Sequence, residues 1–330
     1  MTPKISVILP VFNAQTYLRE SIESILSQSF TNFELIIIND GSTDQSLEII
    51  QSYTDERIKL INQANAGLPI SLNRAIAVAK GQYLARQDAD DISLPSRLAE
   101  QAAYLDEHPA CALLGSWANI LVDNSPTDRA LQHPHLNGDI ALKILFFNCF
   151  VHSSVMIRKS ALEKSGLYPE EREKFPPEDY DLWLRISRSF EVANIPKALL
   201  QYRELPNSIS RTKLQIMQER AELMSLNAIK DILGSTFAEA DIAVLIKGMT
   251  SQTPPAKQSK QRLHVQMLNA LAEHKKKLFP QSTAQIELSL IDCQAILARS
   301  YQKSKIYQWA SYLPFDIIPL LKRIKNQWQH

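Results

Sequence analysis

The stretch YLARQDADDIS, residues 83–93, places three aspartates directly behind a short apolar run. Runs of this kind occur four times in the first hundred residues, and the segments between them carry apolar residues at helical spacing. Strands that alternate with helices predict a parallel sheet that is covered on both faces. The four predicted strands are ISVILP (5–10), FELIIIND (33–40), RIKLIN (57–62) and GQYLARQD (81–88).

Polar residues follow each predicted strand. The exits read PVFNA after the first strand, NDGSTD after the second, QANAG after the third and QDADD after the fourth. The carboxyl ends of parallel strands lie along one edge of a sheet, and α/β sheets bind ligands there, where the strand order reverses. We therefore expect one ligand site that is built from these four loops.

The composition argues against several classes of protein. The 330 residues carry a net charge of +1, whereas a nucleic-acid partner normally requires a basic excess. Three widely spaced cysteines, an odd number, argue against a disulfide framework. No run approaches the roughly 20 apolar residues of a membrane span, and a proline interrupts the N-terminal run before it reaches the length of a signal peptide. We expect a cytoplasmic protein.

The chain changes character along its length. Residues 110–210 mix short strands with a helix predicted around 179–189, and long helical patterns follow. Between 236 and 330 there are 13 Lys and Arg against 6 Asp and Glu, whereas the preceding part is acidic. We divide the chain into an α/β domain, 1–235, and a helical region, 236–330.

The acidic turn after the fourth strand has two interpretations. Asp91 precedes a helix that is predicted to open at Pro95, and aspartate is a common helix cap. Asp88 and Asp90, one residue apart, instead offer the hard oxygen ligands that Mg²⁺ or Mn²⁺ uses beside phosphates. Their mutual repulsion would destabilise the turn unless a cation is bound. We interpret this pair as a metal and phosphate site.

Asp40 closes the second strand within IIINDGSTD. Asp-Gly-Ser is also good turn chemistry, and Asp44 can cap the helix that follows. A carboxylate at the end of a strand can alternatively accept hydrogen bonds from a nucleotide base. Together with Asp88 and Asp90, this second interpretation places a base at one end of the crevice and a diphosphate at the other.

Five segments occur in a fixed order between residues 4 and 210: ISVILPVFNA, FELIIINDGSTDQS, NAGLPISLNRAI, GQYLARQDADDISLPSRLAEQ and PPEDYDLWLRIS. Together they resemble the family 2 glycosyltransferases. The resemblance implies an α/β GT-A (Rossmann-like) fold, in which a mostly parallel sheet is flanked by helices, followed here by the helical C-terminal region. It also implies inverting transfer of a sugar from a nucleotide-diphosphate sugar, with a UDP-sugar as the first choice, and assistance from Mn²⁺ or Mg²⁺.

The resemblance assigns roles to the matched residues. Asp40 would contact the base, Asp88 would lie near the ribose or the metal, and Asp90 would coordinate the metal. The other residues expected to lie near the nucleotide are Pro10, Asn65, Gly67, Asn73 and Arg86. Where the family usually has an aspartate before the residue that matches Asp40, this chain has Asn39, which removes a charge but leaves Asp40 in place.

An inverting transfer needs a general base that takes the proton of the acceptor hydroxyl. Asp179 matches the family's base position and Glu178 lies beside it, although acids here could also simply begin a helix. His152 matches a position on the acceptor side of the pocket, and a packed core histidine is the alternative. Arg203 matches a position from which it could pair with a diphosphate, and a structural ion pair is equally consistent with the sequence.

The C-terminal segment combines apolar and aromatic residues with cations, from Trp309 to Lys325. This composition is typical of a helix in an anionic membrane interface, and peripheral contact at the inner face of the membrane would suit a lipid-linked acceptor. Pro314 and Pro319 interrupt the segment. A helix that packs on the α/β domain is the alternative, and a glycan acceptor would not require the membrane.

Two other functions share parts of the pattern. A sugar-1-phosphate nucleotidyltransferase also uses paired carboxylates, but it needs a Gly-rich basic loop after the first strand, and PVFNAQTYLRE contains no glycine. A non-catalytic, membrane-recruited binding protein on a transferase scaffold is the second alternative, against which the intact set of acids argues. We expect a hexosyltransferase-type enzyme of polysaccharide or cell-envelope glycoconjugate synthesis.

Overall fold

The computed structural model of the chain describes residues 2–122, 124–171, 176–206, 208–250 and 260–310. Its first part alternates strands and helices, and all four predicted strands are present with ends that differ by one or two residues. These elements are β1 (Ile5–Val11), α1 (Leu18–Leu26), β2 (Phe33–Asp40), α2 (Ser46–Gln51), β3 (Ile58–Gln63), α3 (Leu68–Val78) and β4 (Tyr83–Arg86).

The strand order reverses at β1. This strand pairs in parallel with β2 on one side and with β4 on the other, and β2 pairs in parallel with β3. The resulting order is β3-β2-β1-β4, and the register sets Val11 of β1 beside Asn39 of β2. The loops that follow these strands therefore leave the sheet side by side, and the predicted parallel arrangement is confirmed.

The strands β1 and β2 are buried along their whole length. Val7 and Leu9 face one apolar core, whereas Ile8 faces another on the opposite side of the sheet. Burial on both faces explains why these strands read as continuous apolar runs in the sequence. Each fully buried Val, Leu or Ile side chain contributes about 1.5–3 kcal/mol to folding. The burial of β1 and β2 therefore stabilises the part of the sheet from which the polar loops leave.

The second part of the sheet is mixed. It comprises β5 (Ile92–Ser93), α4 (Arg97–Glu107), β6 (Cys111–Val122), β7 (Ser125–Leu131), α5 (Asn137–Lys143), β8 (Met156–Arg158), α6 (Lys159–Ser165), α7 (Glu178–Ile186) and β9 (Glu191–Glu204). β8 lies antiparallel between β4 and β6, and β6 runs parallel to β9. β7 and β5 pair antiparallel with β6 and β9. The sheet is thus parallel from β3 to β4 and mixed beyond β4.

Helices complete the chain. They are α8 (Ile209–Thr212), α9 (Leu214–Leu233), α10 (Glu239–Met249), α11 (Gln261–Leu278) and α12 (Thr283–Ala310). One apolar core runs from Ile8 of β1 through Trp183 of α7 to Leu297 of α12. α5 and α12 approach so closely that a Cβ on Gly138 would stand 2.6 Å from the Cβ of Gln285. The helical region therefore packs on the α/β part, while the division at residue 235 stays a prediction.

The membrane hypothesis concerns the far end of the chain. Within the ranges that the structure describes, no helix combines the length and the apolar character needed to cross a membrane. Residues 311–330 and the side chain of Trp309, which carry the predicted interfacial segment, lie outside the described part.

Candidate active site

Three carboxylates gather in the turn after β4. Asp88, Asp90 and Asp91 each offer a carboxylate oxygen, and these atoms all lie within 4.8 Å of one another. Neighbouring elements fix the backbone of the turn, since the Asp88 N–H donates to Ser153 Oγ over 3.0 Å and Ser21 Oγ donates to the Asp88 carbonyl over 2.7 Å. Such a set of hard oxygen donors suits Mg²⁺ or Mn²⁺.

The acids of this turn repel one another. Burial and the charge of Asp88 raise the pKa of Asp90 to about 6, and burial with the charges of Asp88 and Asp90 raises the pKa of Asp91 well above its usual range. The buried guanidinium of Arg86 pairs with Asp88. A divalent cation would relieve the remaining like-charge repulsion, so the residues present fit the predicted metal.

The helix-cap interpretation of Asp91 is wrong. α4 begins at Arg97 with Ser96 as its N-cap, and the Ser96 side chain makes no capping hydrogen bond; Gln28 Oε1 instead accepts the N–H of Leu98 over 3.0 Å. Asp91 instead accepts a hydrogen bond of 2.8 Å from the backbone N–H of Arg203 in β9. Asp91 is 1% exposed, and it satisfies a backbone N–H of β9 that would otherwise have to find another partner.

The Arg203 side chain makes hydrogen bonds and an ion pair within the protein. Its Nε donates to the Asp90 carbonyl over 2.8 Å, and its Nη2 pairs with Glu20 over 2.6 Å. The guanidinium carbon also lies 4.1 Å from the centre of the Tyr17 ring. Of the two interpretations of Arg203, these contacts correspond to the structural ion pair, and they fix the backbone of the acidic turn.

Asp40 shapes the loop between β3 and α3. Its two oxygens accept hydrogen bonds from Gln63 Nε2 at 2.6 Å, from the Ala66 N–H at 2.8 Å and from the Gly67 N–H at 2.9 Å. Gly67 has φ +96°, a conformation that favours glycine, and Asn65 at the loop tip is exposed. The carboxylate therefore fixes the loop that also carries two other predicted nucleotide contacts.

The remaining predicted nucleotide residues are buried. Pro10 lies within β1, in register with Ile38. Asn73 of α3 binds the backbone of Tyr168 on both sides, donating to its carbonyl over 2.9 Å and accepting its N–H over 3.1 Å. Asn39, at the departure from the family pattern, donates to Asn62 Oδ1 over 2.7 Å. Asn73 thus joins the nucleotide half of the edge to the segment before α7.

A second pair of acids opens α7. Asp179 Oδ2 accepts a hydrogen bond of 2.7 Å from Asn148 Nδ2, and Asp179 Oδ1 accepts the N–H of Tyr180 over 2.8 Å. Glu178 Oε1 lies 3.7 Å from His152 Nδ1. The other ring nitrogen of His152 lies 3.0 Å from the hydroxyl of Tyr168. The structure therefore brings His152 and the acid pair together.

The surroundings of Glu178, Asp179 and His152 affect their protonation states in different ways. Burial and the charge of Asp179 raise the pKa of Glu178 to about 8, so Glu178 is protonated at neutral pH. Burial raises the pKa of Asp179 as well, whereas the Asn148 amide and the Tyr180 N–H act in the opposite direction. Burial and the nearby charge of Arg86 hold the pKa of His152 well below its usual range, so this imidazole is neutral.

Arg86 interacts with both acidic groups. Besides its ion pair with Asp88, its charge lowers the pKa of both Glu178 and Asp179. The guanidinium is 4% exposed, and its Nε has no hydrogen-bond partner within the described part of the chain. A buried donor next to an acidic turn is suited to a ligand that carries negative charge.

Sequence reasoning missed four side chains that organise the site. Ser153 holds the acidic turn, Asn148 holds Asp179, Tyr168 contacts His152, and Glu20 pairs with Arg203. For Asn148 a signal was present, because an amide inside the apolar run FFNCFV marks a buried polar group that needs partners.

Comparisons with known proteins identify similar sequences and structures. Residues 6–166 match the family model described as Glycosyl transferase family 2. The chain is similar to an uncharacterized glycosyltransferase of Haemophilus influenzae, with 36% identity over 219 residues that cover 63% of this chain and 68% of that protein. It is also similar to the O-antigen biosynthesis glycosyltransferase WbnJ of Escherichia coli, with 35% identity over 217 residues that cover 64% of this chain and 83% of that protein.

Two solved structures share the fold. One is S. aureus TarS in complex with UDP, at 20% identity and a TM-score of 0.58, covering 96% of this chain and 94% of that chain. The other is a mannosyltransferase from Pyrobaculum calidifontis in complex with GDP-Man and Mn²⁺, at 14% identity and a TM-score of 0.54, covering 92% and 87%. The predicted α/β fold with a helical C-terminal region is confirmed.

Proposed function

Because the chain belongs to glycosyl transferase family 2, we propose that it transfers a sugar with inversion from a nucleotide-diphosphate sugar to a glycan or lipid-linked acceptor. The relatives include an enzyme of O-antigen biosynthesis, which supports a role in polysaccharide or cell-envelope glycoconjugate synthesis. The observation that carries the proposal is that two acidic groups, the turn after β4 and the first turn of α7, both interact with the buried Arg86.

The donor half binds the nucleotide and the diphosphate. Asp40 fixes the loop that would line the nucleoside, Asp88 and Asp90 would hold Mn²⁺ or Mg²⁺, and Arg86 would add a fixed positive charge. The cation, when bound, neutralises the charge that develops on the leaving diphosphate. A UDP-sugar is the proposed donor, and a UDP complex of a protein with the same fold supports this choice.

The acceptor half supplies the proton chemistry. The acceptor oxygen attacks the anomeric carbon, its proton passes to Asp179, and the bond to the diphosphate oxygen breaks with its electron pair leaving on the diphosphate. Asp179 is suited to this role because two donors favour its ionised form. Glu178 is protonated at neutral pH and can donate a hydrogen bond to the acceptor, which orients it without competing for the proton.

The metal assignment is tested by donor binding and hydrolysis. We expect one class among UDP-, GDP- and dTDP-sugars to be hydrolysed slowly with Mn²⁺, and we expect Asp90→Asn to abolish the Mn²⁺ dependence of nucleotide binding. Asp128→Asn, which removes an exposed carboxylate of β7, is the matched control. Unchanged metal dependence in Asp90→Asn would remove Asp90 as a ligand, and binding of a donor without any turnover would favour the non-catalytic alternative.

The base assignment is tested in the same helix. Asp179→Asn is expected to retain donor binding and to lose transfer by about 10²–10⁴-fold. Asp181→Asn is the control, since Asp181 lies in the same first turn but pairs with Arg185. Normal turnover in Asp179→Asn would exclude this residue as the base.

The helical region has a proposed role of its own. Residues 236–330 would contribute contacts to the acceptor or to the membrane, which would hold the enzyme at the inner face of the cell membrane. The basic excess of this region supports attraction to an anionic surface. A vesicle co-sedimentation assay with and without residues 311–330 tests it, and equal sedimentation of both forms would argue against membrane contact by this segment.

A further inference from the structure

The Asn148 amide is fixed in one orientation. Its Oδ1 accepts the backbone N–H of Phe150 over 3.1 Å, which leaves Nδ2 to donate to Asp179 Oδ2 over 2.7 Å. Because the N–H of Phe150 can only donate, the amide cannot turn over without placing two donors against each other. Asn148 therefore offers a hydrogen-bond donor, and never an acceptor, to Asp179.

Glu178 and Asp179, the two acids that open α7, have different hydrogen-bond partners. Asp179 receives the Asn148 donor and the Tyr180 N–H, whereas the side chain that faces Glu178 is a neutral His152 at 3.7 Å. Burial and the charge of Asp179 raise the pKa of Glu178 to about 8, and the two hydrogen bonds to Asp179 favour that residue as the acid which carries the charge.

Within the described part of the chain, the other charged and titratable groups around the pair form no hydrogen bond with one acid alone, although the charge of Asp88 raises the pKa of Glu178 and so acts in the same sense. Arg86 of β4 acts on both acids in the same direction. Asp88 and the Tyr168 hydroxyl also lie close enough to interact with the pair. None of these groups is hydrogen-bonded to one acid alone among the described contacts, so the Asn148 amide is the side chain that distinguishes Asp179 from Glu178.

We propose that Asn148 is a positioning residue for the general base, because its amide places the negative charge of the acid pair on Asp179 and holds that carboxylate in one orientation for the acceptor hydroxyl. The inference rests on the proposed function, in which Asp179 is the base. Asn148 does not touch the reacting atoms. Its effect passes through Asp179, so it acts on proton transfer and leaves donor binding unchanged.

The first test is the pH dependence of transfer in the full chain. In Asn148→Ala the acidic limb of the kcat profile is expected to move to higher pH by about one pH unit, since one hydrogen bond to the ionised acid is lost. On the acidic side of this limb we expect kcat to fall about tenfold, while the Mn²⁺-dependent affinity for the donor nucleotide stays within about twofold. A fall in donor affinity that matches the fall in kcat, with no shift of the limb, would overturn the proposal.

The second test needs no turnover. The Asp179 carboxyl can be followed by ¹³C NMR, with its signal assigned by its loss in Asp179→Asn, and its titration should move upward in Asn148→Ala. An unmoved titration overturns the role of Asn148 even if Asp179 is the base. A moved titration with an unmoved kcat profile means that Asp179 is not the base, which overturns the proposed mechanism and the positioning role with it.

A second variant keeps the proposal testable if Asn148→Ala does not fold. Asn148→Asp keeps the size of the side chain but replaces the donor with an acceptor, so the titration of Asp179 is expected to move upward at least as far as in the alanine variant, with a matching loss of rate. An aspartate variant with the wild-type rate and titration would show that the donor is irrelevant, and the proposal would then fail.

Discussion

Glu178 and Asp179 are neighbours in one helical turn, yet their surroundings differ. Glu178 titrates near pH 8 because burial and the adjacent Asp179 disfavour its charged form, whereas two hydrogen-bond donors support the ionised form of Asp179. A pair of acids whose surroundings push their pKa values apart can serve as one hydrogen-bond donor and one base. The two residues therefore respond differently to removal of their charge.

Glu178→Gln should preserve transfer at pH 7 within a few-fold, because the native side chain is already uncharged there. In the wild type we expect kcat to decline above about pH 8, where Glu178 loses the proton that it donates to the acceptor. The glutamine amide cannot lose that proton, so this basic limb should disappear from the profile of the variant. A pH series of initial rates checks the expectation, and a basic limb that persists in the variant would assign it to another group.

Arg203→Lys should destabilise the protein by about 2 kcal/mol and weaken Mn²⁺ binding. A lysine cannot reproduce the fork that contacts the Asp90 carbonyl and Glu20 together, so at least one of the two acceptors loses its donor. Denaturant unfolding and a Mn²⁺ titration measure the two effects. Lys4→Ala, which breaks the partly exposed ion pair with Asp106, is the control and should cost less than about 1 kcal/mol. Equal losses in both variants would contradict the role of Arg203.

The β3–α3 loop connects the third strand to the helix that follows it, and it carries the predicted nucleotide contacts Asn65 and Gly67. Its conformation depends on a carboxylate outside the loop, since Asp40 accepts the backbone N–H groups of Ala66 and Gly67. A loop that is held by backbone hydrogen bonds presents its own side chains in one arrangement. The loop therefore contributes to affinity through order as well as through contacts.

Asp40→Asn should weaken binding of the donor nucleotide about tenfold, because an amide has one acceptor oxygen where the carboxylate has two. Isothermal titration with UDP and Mn²⁺ measures the change. Asp55→Asn is the matched control, since Asp55 bonds to Arg57 just before β3, at the other end of that strand, and should leave affinity unchanged. Affinity that is equal in both variants would show that the loop needs no carboxylate.

The four parallel strands and their polar exits could be predicted from the sequence because both are local signals: continuous apolar runs, followed at once by turn residues. The acid groups after β4 and at the start of α7 were predictable for the same reason, with the family resemblance assigning their roles. Asp91 was misread because its partner, the N–H of Arg203, lies 112 residues away. Asn148 was missed for a similar reason, since its partner is 31 residues distant in a different element.

At the scale of the whole molecule, the raised pKa values of the buried acids link stability to pH. Asp90 titrates near 6 and Glu178 near 8 in the folded protein, both above their values in an unfolded chain. Between its pKa in the unfolded chain and its pKa in the folded protein, each acid is protonated in the folded state but ionised in the unfolded state. These groups therefore make the protein less stable as pH rises through that range. A cation at the acidic turn favours the ionised form and acts against this loss.

The melting temperature of the metal-free protein should therefore fall between pH 5.5 and 8 by a few degrees. Mn²⁺ with UDP should raise it more at pH 8 than at pH 5.5, because the metal competes with protons for Asp90. Thermal scans at both pH values check this, and Asp90→Asn should show a weaker dependence on pH and on Mn²⁺. A metal response that is independent of pH in the wild type would contradict the link to Asp90.

The hydrogen bonds between the acidic turn and β9 also affect the order in which the site forms during synthesis of the chain. The first hundred residues contain the predicted nucleotide and metal ligands apart from Arg203, yet the turn is bound by Arg203, which lies 113 residues beyond Asp90. A ribosome delivers these parts one after the other, and contacts of such long sequence separation close late in folding. A nascent chain that has only passed β4 thus contains the acids without the Arg203 contacts that fix the turn, and under the proposed function we expect donor binding to begin only when β9 has joined the sheet.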